Sequence, residues 1–300
     1  VNDGLDARDD PDGQPPMPFA AAVDYARTVM AWAREPLPER VVCHLDQPYG
    51  PHRLHRFDAF APVAAREAPV LVFWHGGGWT NGYRQYAHFM APLVTALGMV
   101  LITPSYRLAP LHPLPDAMTD VFTLLAELAR ALPAWGGSPG RVLLSGHSAG
   151  AHLATMGALR RDARAAHGVP DGLVQGCLPL SGIMDLHDPQ PAPGSLEERV
   201  YTTVLAGLDP LQDAVCSPLY WTAGNRVPFD LSVGEHDSLR VRRSNRRLLP
   251  LLQAQAGPAV LHELPGQDHF QTHLRLRDAA NPWYARLAFM ARSTPSQDAP

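Results

Sequence analysis

The chain has 300 residues, 46% hydrophobic and 18% charged, which is an ordinary globular composition with enough apolar residues for a large core. Its net charge of −4 and the lack of a long basic run argue against a nucleic-acid partner. No stretch approaches the roughly 18 apolar residues of a transmembrane helix, so no membrane span is expected. One α/β domain can occupy this length, and we predict a single domain over residues 19–292.

The N-terminal part precedes any regular alternation of elements. Residues 1–18 are rich in Asp, Gly and Pro and are expected to be a disordered tail. A helical spacing of apolar residues follows, and 19–40 is a candidate cap element, although packing on the outside of a sheet explains it equally well. Residues 41–63 alternate polar and apolar side chains, which predicts an antiparallel hairpin or edge strands.

From residue 70 onward, apolar runs typical of strands alternate with helical patterns. The predicted strands cover 70–74, 99–103, a run beginning at Val142, 173–180, 227–233 and 259–264. The predicted helices cover 86–97, a segment beginning at Asp116, a segment beginning at Ala149, 239–256 and 282–291. This order predicts an α/β fold with a mostly parallel central sheet, helices on both faces and an active site beyond the carboxyl ends of the strands. The Pro- and Gly-rich stretch 185–225 interrupts the order and is a second candidate cap element, and 293–300 is expected to be a tail.

The most informative motif is Gly-His-Ser-Ala-Gly at residues 146–150, directly after a predicted strand. It is the Gly-x-Ser-x-Gly pattern of a nucleophile elbow, in which a strand turns sharply into a helix with the serine at the apex. The flanking glycines fit because a side chain at either position would clash in so tight a turn. The positive end of the following helix dipole would favour negative charge developing beside the serine. We therefore predict Ser148 as a nucleophile.

A second motif, His-Gly-Gly-Gly-Trp at residues 75–79, follows another predicted strand. Glycines let backbone N–H groups approach a ligand, and acyl transfer needs donors aimed at the oxygen that becomes negative. Gly77, Gly78 and Ala149 are the predicted oxyanion-hole donors, with Gly76 in reserve. A plain glycine turn is the alternative, which the elbow downstream disfavours.

A serine hydroxyl needs a base, and the base needs an acid that orients it, in the chain order Ser, acid, His. Asp237 follows a late strand and is the predicted acid, with Glu235 as its rival. His269 follows the next strand and is the predicted base. The alternative bases are His262, which lies inside the strand, and His273, which falls on a following helical turn.

The substrate pocket is less defined by sequence. Trp79, Tyr83 and His152 are candidate substrate-binding residues, although packing explains each of them at least as well. Two other classes of function compete with catalysis by serine. One is a non-catalytic binding protein on the same fold. The other is a metallohydrolase that uses closely spaced histidine pairs, for which no third ligand is arranged nearby in the sequence.

Five segments together resemble the α/β-hydrolase superfamily, and within it the hormone-sensitive-lipase and arylformamidase-like esterases. They are residues 75–79, 105–110, 146–154, 234–237 and 268–270. The Ala-His-Leu-Ala and Asp-His-Phe sequences look most like kynurenine formamidases, whereas the third glycine of His-Gly-Gly-Gly looks more like general carboxylesterases. The resemblance implies a serine hydrolase of small carboxylic esters, with a formamide of the N-formyl-kynurenine type as the alternative substrate, and no metal or organic cofactor.

The cysteines and the first residues of the chain give indications about the cellular compartment of the protein. Cys43, Cys177 and Cys216 are odd in number and widely spaced, which indicates neither a disulfide framework nor a zinc site. No signal peptide is visible, so a cytoplasmic protein is expected, although a chain that starts at Val1 is compatible with a removed leader. A homodimer is the default expectation for a soluble enzyme.

Overall fold

The computed structural model describes residues 14–209 and 211–293. The strands are β1 Val41–Pro48, β2 Arg56–Pro62, β3 Ala68–Trp74, β4 Val100–Pro104, β5 Gly137–His147, β6 Val174–Leu180, β7 Phe229–Gly234 and β8 Ala259–Leu264. The helices are α1 Ala20–Ala33, α2 Ala91–Ala96, α3 Leu114–Ala131, α4 Ala149–Leu159, α5 Arg161–Ala166, α6 Leu196–Arg199, α7 Gln212–Val215, α8 Leu239–Gln253, α9 Gln271–Leu274 and α10 Pro282–Ser293. Short 3-10 turns cover Arg84–Met90, Leu132–Trp135, Pro218–Trp221 and Arg275–Arg277, and Val200–Val204 forms a π-helical turn.

These strands form one sheet in the order β1-β2-β4-β3-β5-β6-β7-β8. Strand β2 runs antiparallel to both of its neighbours, and the other pairings are parallel. The predicted α/β fold with a mostly parallel sheet is therefore confirmed, as is the antiparallel hairpin over 41–63. The predicted helix 86–97 is instead a 3-10 turn followed by α2, which has Pro92 in its first turn.

The central strands of the sheet are buried on both faces, which explains their continuous apolar runs. Along β3, Val70 and Val72 pack into one core with α3, α4 and α8. Leu71 and Phe73 pack into the other core with α1, α2 and α10. Successive strand residues face opposite sides of a sheet, so both registers of β3 must be apolar. Among the described residues, no helix combines the length and apolar character needed to cross a bilayer.

Two residues of the predicted N-terminal tail are bonded to the rest of the chain. Residues 1–13 lie outside the described residues, but Gln14 and Pro15 contact the loop after β3. The Gln14 side-chain amide accepts a hydrogen bond from the Gly82 N–H at 3.0 Å, and the Pro15 carbonyl accepts one from the Asn81 side chain at 2.6 Å. Composition alone indicated a tail because it cannot reveal these two contacts. At the other end, α10 includes Ser293, and 294–300 lie outside the described residues.

A buried ion cluster fixes the loop that follows β4. The Asp120 carboxylate on α3 accepts hydrogen bonds from the backbone N–H and the guanidinium of Arg107 and from His55 Nε2, at 2.6–3.1 Å. Burial alone would raise the pKa of Asp120, but the hydrogen bonds from His55 and Arg107 hold it below its ordinary value. Beside Arg107, the Tyr106 hydroxyl donates to the His75 carbonyl at 3.0 Å, and the two rings stack. The cluster thus supports the first residue of the glycine motif.

We predict that Asp120→Asn lowers the free energy of unfolding by about 3 kcal/mol, because it leaves a half-buried guanidinium without its carboxylate. Asp116→Asn is the matched control, since Asp116 lies 3.5 Å from the same guanidinium and is 37% exposed. The control should lose less than about 1 kcal/mol. Urea unfolding of both variants measures the difference, and equal losses would contradict a special role for Asp120.

Candidate active site

The predicted elbow forms at the junction of β5 and α4. Ser148 lies at its apex with φ 55° and ψ −117°, a conformation that is strained for a residue with a side chain. A Cβ on Gly146 would lie 2.5 Å from the backbone of Gly150. A Cβ on Gly150 would overlap the carbonyl oxygen of Trp74 at the end of β3. The two glycines are therefore required by close backbone contacts.

The structure brings the three predicted catalytic side chains together. His269 Nε2 lies 2.9 Å from Ser148 Oγ, and His269 Nδ1 lies 2.6 Å from Asp237 Oδ1. With the Nδ1–H donating to the carboxylate, Nε2 is left as the acceptor for the serine hydroxyl. The three residues follow β5, β7 and β8, at the carboxyl edge of the sheet where the sequence predicted a site.

The Asp237 carboxylate is buried and fully engaged. Its Oδ2 accepts hydrogen bonds from Ser181 Oγ at 2.6 Å and from the Gly234 N–H at 2.7 Å. Burial would raise the pKa of Asp237, but its hydrogen bonds and its charge interaction with His269 hold the pKa below the ordinary value. The Asp237 carboxylate is therefore ionised at neutral pH.

Ser181 is a supporting residue that sequence analysis did not predict. Besides donating to Asp237, its Oγ lies 2.9 Å from the Thr272 hydroxyl, and Thr272 Oγ1 donates to the His269 carbonyl at 2.8 Å. The hydroxyl pair thus links the loop that carries the acid to the loop that carries the base. Ser181 directly follows β6, so its position at the carboxyl edge of the sheet was the available indication.

The alternative acid and bases lie elsewhere. Glu235 is exposed, and its Oε2 accepts a hydrogen bond from the Gly266 N–H at 2.8 Å. His262 lies within β8 and contacts Asp230 at 3.3 Å. His273 is fully buried on α9, where its Nδ1 bonds a tyrosine hydroxyl at 2.8 Å. In the described part of the chain, none of these three side chains hydrogen-bonds the serine.

The glycine motif forms a loop beside the serine. Gly77 and Gly78 have φ values of 127° and 61°, which favour glycine, and a Cβ on Gly77 would overlap the carbonyl oxygen of Asn81. Both glycines line the same cavity as Ser148, whereas Gly76 does not. Over the described residues, the N–H groups of Gly77 and Gly78 have no protein acceptor. Ala149 opens α4, where a backbone N–H has no acceptor within the helix.

A buried series of aromatic side chains contacts the loop that carries His269. His147 Nε2 donates to the His269 carbonyl at 2.8 Å. The Tyr25 hydroxyl lies 3.5 Å from His147 Nδ1 and 2.8 Å from His273 Nδ1. Burial is the main cause that lowers the pKa of His147 well below its ordinary value and that of His273 to about 3. Both rings are therefore neutral, and α1 is joined through them to the loop of His269.

Ser148 lines a cavity of about 260 Å³. Its walls come from residues 17–25, the glycine loop, residues 196–204 and the start of α8. They are formed by Met17, Pro18, Phe19, Ala22, Tyr25, Gly77, Gly78, Trp79, Thr80, Asn81, Tyr86, His147, Ser148, Ile183, Leu196, Arg199, Val200, Val204, Ser238, Val241, His269 and Phe270. The lining is mostly apolar, which suits a small organic group.

Of the three predicted substrate-binding residues, Trp79 lines the cavity and the other two do not. His152 is fully buried, donates from Nε2 to the Cys216 carbonyl at 2.6 Å, and packs edge-on against Trp79. The Tyr83 ring packs edge-on against Tyr86 outside the cavity. The predictions for Tyr83 and His152 are therefore corrected, because both rings are taken up by packing.

No metal centre forms from the histidines that the sequence offered. His55, beside His52, bonds Asp120 through Nε2. Within residues 14–209 and 211–293, no three His, Cys, Asp or Glu side chains are grouped so that they could hold a metal ion.

Comparisons with known proteins agree with this architecture. A family model described as alpha/beta hydrolase fold matches residues 71–273. The chain is 31% identical over 243 residues to "Probable carboxylic ester hydrolase LipM" of Mycobacterium tuberculosis, covering 77% of this chain and 56% of LipM. It is 28% identical over 238 residues to "Esterase LipQ" of the same bacterium, covering 75% of this chain and 56% of LipQ. It thus spans just over half the length of these relatives.

A solved structure shows the same fold. The chain superposes on the hyperthermophilic esterase of the archaeon Pyrobaculum calidifontis with a TM-score of 0.73. The superposition covers 94% of this chain and 92% of that one at 21% sequence identity. At this identity the likeness concerns the fold alone.

We predict that Gly150→Ala lowers the free energy of unfolding by about 3 kcal/mol or more, because its Cβ would overlap backbone oxygens that cannot move independently. Gly98→Ala is the control, since Gly98 has φ 74° with nothing within 4 Å of its added Cβ. It should lose about 1–2 kcal/mol from backbone strain alone. Urea unfolding compares the two, and a Gly150→Ala protein as stable as the wild type would refute the contact.

Proposed function

The chain belongs to the family with the α/β-hydrolase fold, and from this premise we propose that it is a carboxylic ester hydrolase that cleaves small esters through an acyl-enzyme on Ser148. The observation that carries the proposal is the hydrogen-bonded series Ser148–His269–Asp237, with distances of 2.9 and 2.6 Å. The printed names of LipM and LipQ support the ester as the bond that is cleaved.

In the proposed mechanism, Ser148 Oγ attacks the ester carbonyl carbon while its proton passes to His269 Nε2. Asp237 holds the imidazole in the tautomer with Nε2 free and stabilises the imidazolium that forms. The oxyanion of the tetrahedral intermediate lies against the N–H groups of Gly77, Gly78 and Ala149. His269 then protonates the departing alcohol, and water repeats the same sequence on the acyl-enzyme.

We also propose that two segments form the cap of the site. Residues 17–25 and 196–204 supply most of the apolar side chains around the serine. A cavity of about 260 Å³ with such walls fits a short acyl chain or a small alcohol rather than a polymer. The substrate class is therefore a small ester.

The competing substrate is a formamide of the N-formyl-kynurenine type. That resemblance rests partly on residues 151–154, none of which is among the residues that line the cavity. His269 and Phe270 do line it, but a serine esterase needs the base equally. The geometry therefore favours the ester, and a direct comparison of the two substrates decides between them.

We predict that the wild-type protein hydrolyses 4-nitrophenyl butyrate and that Ser148→Ala reduces kcat by about 10⁴-fold or more, since the nucleophile is lost. The variant should keep the circular dichroism spectrum and melting temperature of the wild type. N-formyl-kynurenine is assayed in parallel. A formamide kcat/KM far above the ester value would make the protein an arylformamidase. If neither substrate shows turnover that depends on Ser148, the proposal of a small-ester hydrolase is overturned, and an enzyme for another, narrow substrate or a binding protein takes its place.

We predict that Asp237→Asn lowers kcat by about 10⁴-fold, because an amide can fix the wrong imidazole tautomer and cannot balance the imidazolium charge. Glu235→Gln is the matched control two residues away. In the described structure, the exposed Glu235 side chain bonds only the N–H of Gly266. It should retain nearly full activity. The opposite pattern of kcat values would transfer the role of the acid to Glu235.

A further inference from the structure

A cation lines the cavity beside the serine. Arg199 ends α6, is half-buried, and shares this cavity with Ser148 and His269. Over residues 14–209 and 211–293, its guanidinium has neither a hydrogen bond nor an ion pair. The other cap residues around it, Leu196, Val200 and Val204, are apolar. Arg199 thus brings a positive charge to a mostly apolar lining, and among the described residues its five N–H donors have no protein acceptor.

The neighbouring acids on α6 are engaged elsewhere. Glu197 Oε1 lies 3.7 Å from Arg240 Nη1. Glu198 Oε2 accepts the backbone N–H of Gly194 at 2.6 Å, before the start of the helix. No Asp or Glu is found among the described residues that line the cavity. The positive charge of Arg199 is therefore not balanced from within the cavity.

A substrate that fills this cavity displaces water from the part of Arg199 that lines it. A cation that loses water without gaining an acceptor is costly, whereas a carboxylate matches the planar guanidinium with two parallel hydrogen bonds. We propose that Arg199 binds a carboxylate of the substrate, so that the preferred substrates are small esters with an anionic group in the acyl chain or in the alcohol. This inference rests on the proposed function, because it assigns the substrate of the same site.

The test uses two pairs of esters that differ in one charge. On the acyl side, mono-4-nitrophenyl adipate is compared with its methyl ester. On the alcohol side, 4-carboxyphenyl butyrate is compared with 4-(methoxycarbonyl)phenyl butyrate. The proteins are the wild type, Arg199→Gln and Arg199→Lys. Arg292→Gln is the control, since Arg292 is exposed on α10 and is not among the residues lining the cavity.

The wild type should prefer the anionic member of at least one pair. Arg199→Gln should lower kcat/KM for that ester by about 10- to 100-fold, mainly through KM, because a charge-assisted hydrogen-bonded pair is lost. The neutral partner should change less than about threefold. For the anionic ester, Arg199→Lys should have a kcat/KM between those of the wild type and Arg199→Gln, since lysine keeps the charge but lacks the planar guanidinium. Arg292→Gln should match the wild type with all four esters.

Failure of this inference and failure of the proposed function are distinguished by labelling Ser148 with a fluorophosphonate and locating the label by mass spectrometry. If Ser148 is labelled but charged and neutral esters lose activity equally in Arg199→Gln, the inference is overturned and the proposed function stands. A wild type that prefers the neutral ester of both pairs also overturns the inference and leaves the proposed function standing. If Ser148 is not labelled and no ester is cleaved, the proposed function fails and the inference fails with it.

Discussion

The arrangement of the site depends on one close backbone contact between two neighbouring strands. The elbow after β5 lies against the end of β3 so tightly that a Cβ on Gly150 would overlap the carbonyl oxygens of Trp74 and His75. A Cβ on Gly76 would in turn lie 3.0 Å from the His147 carbonyl and 3.3 Å from the Ser148 Cβ. The backbone contact alone therefore fixes the distance between Ser148 and the loop that carries Gly77 and Gly78. A rigid separation of this kind is what a preorganised oxyanion hole requires.

The electrostatics of the site follow from which histidines are buried. Burial lowers the pKa of His75 and His152 to about 4, and that of His273 to about 3. These rings stay neutral at ordinary pH and act as packing groups and single hydrogen-bond partners. His269 lies in a different environment, because its side chain is 26% exposed and contacts a buried carboxylate on one side and a serine on the other. Several histidines can therefore lie near the site without competing with His269, because the buried ones stay neutral and are engaged in packing.

Sequence predicted the elements better than the side-chain contacts. The parallel sheet followed from apolar runs, and because parallel strands end at one edge, Ser148, Asp237 and His269 could be placed together from their positions after strands. The support for Asp237 by Ser181 could not be predicted, since it depends on which strand neighbours β7. For the same reason the sequence could not decide between packing and substrate binding for His152, because a motif does not reveal what packs against its helix.

The N-terminal segment is tied to both sides of the site. Gln14 and Pro15 bond the loop after β3, while the Tyr25 hydroxyl bonds His273, which is 248 residues away in sequence. Because a chain is synthesised from its N-terminus, Tyr25 is made well before His273 and cannot make this contact until that distant segment exists. Tyr25 also lines the cavity, so this part of the wall around Ser148 is completed only when the two segments meet.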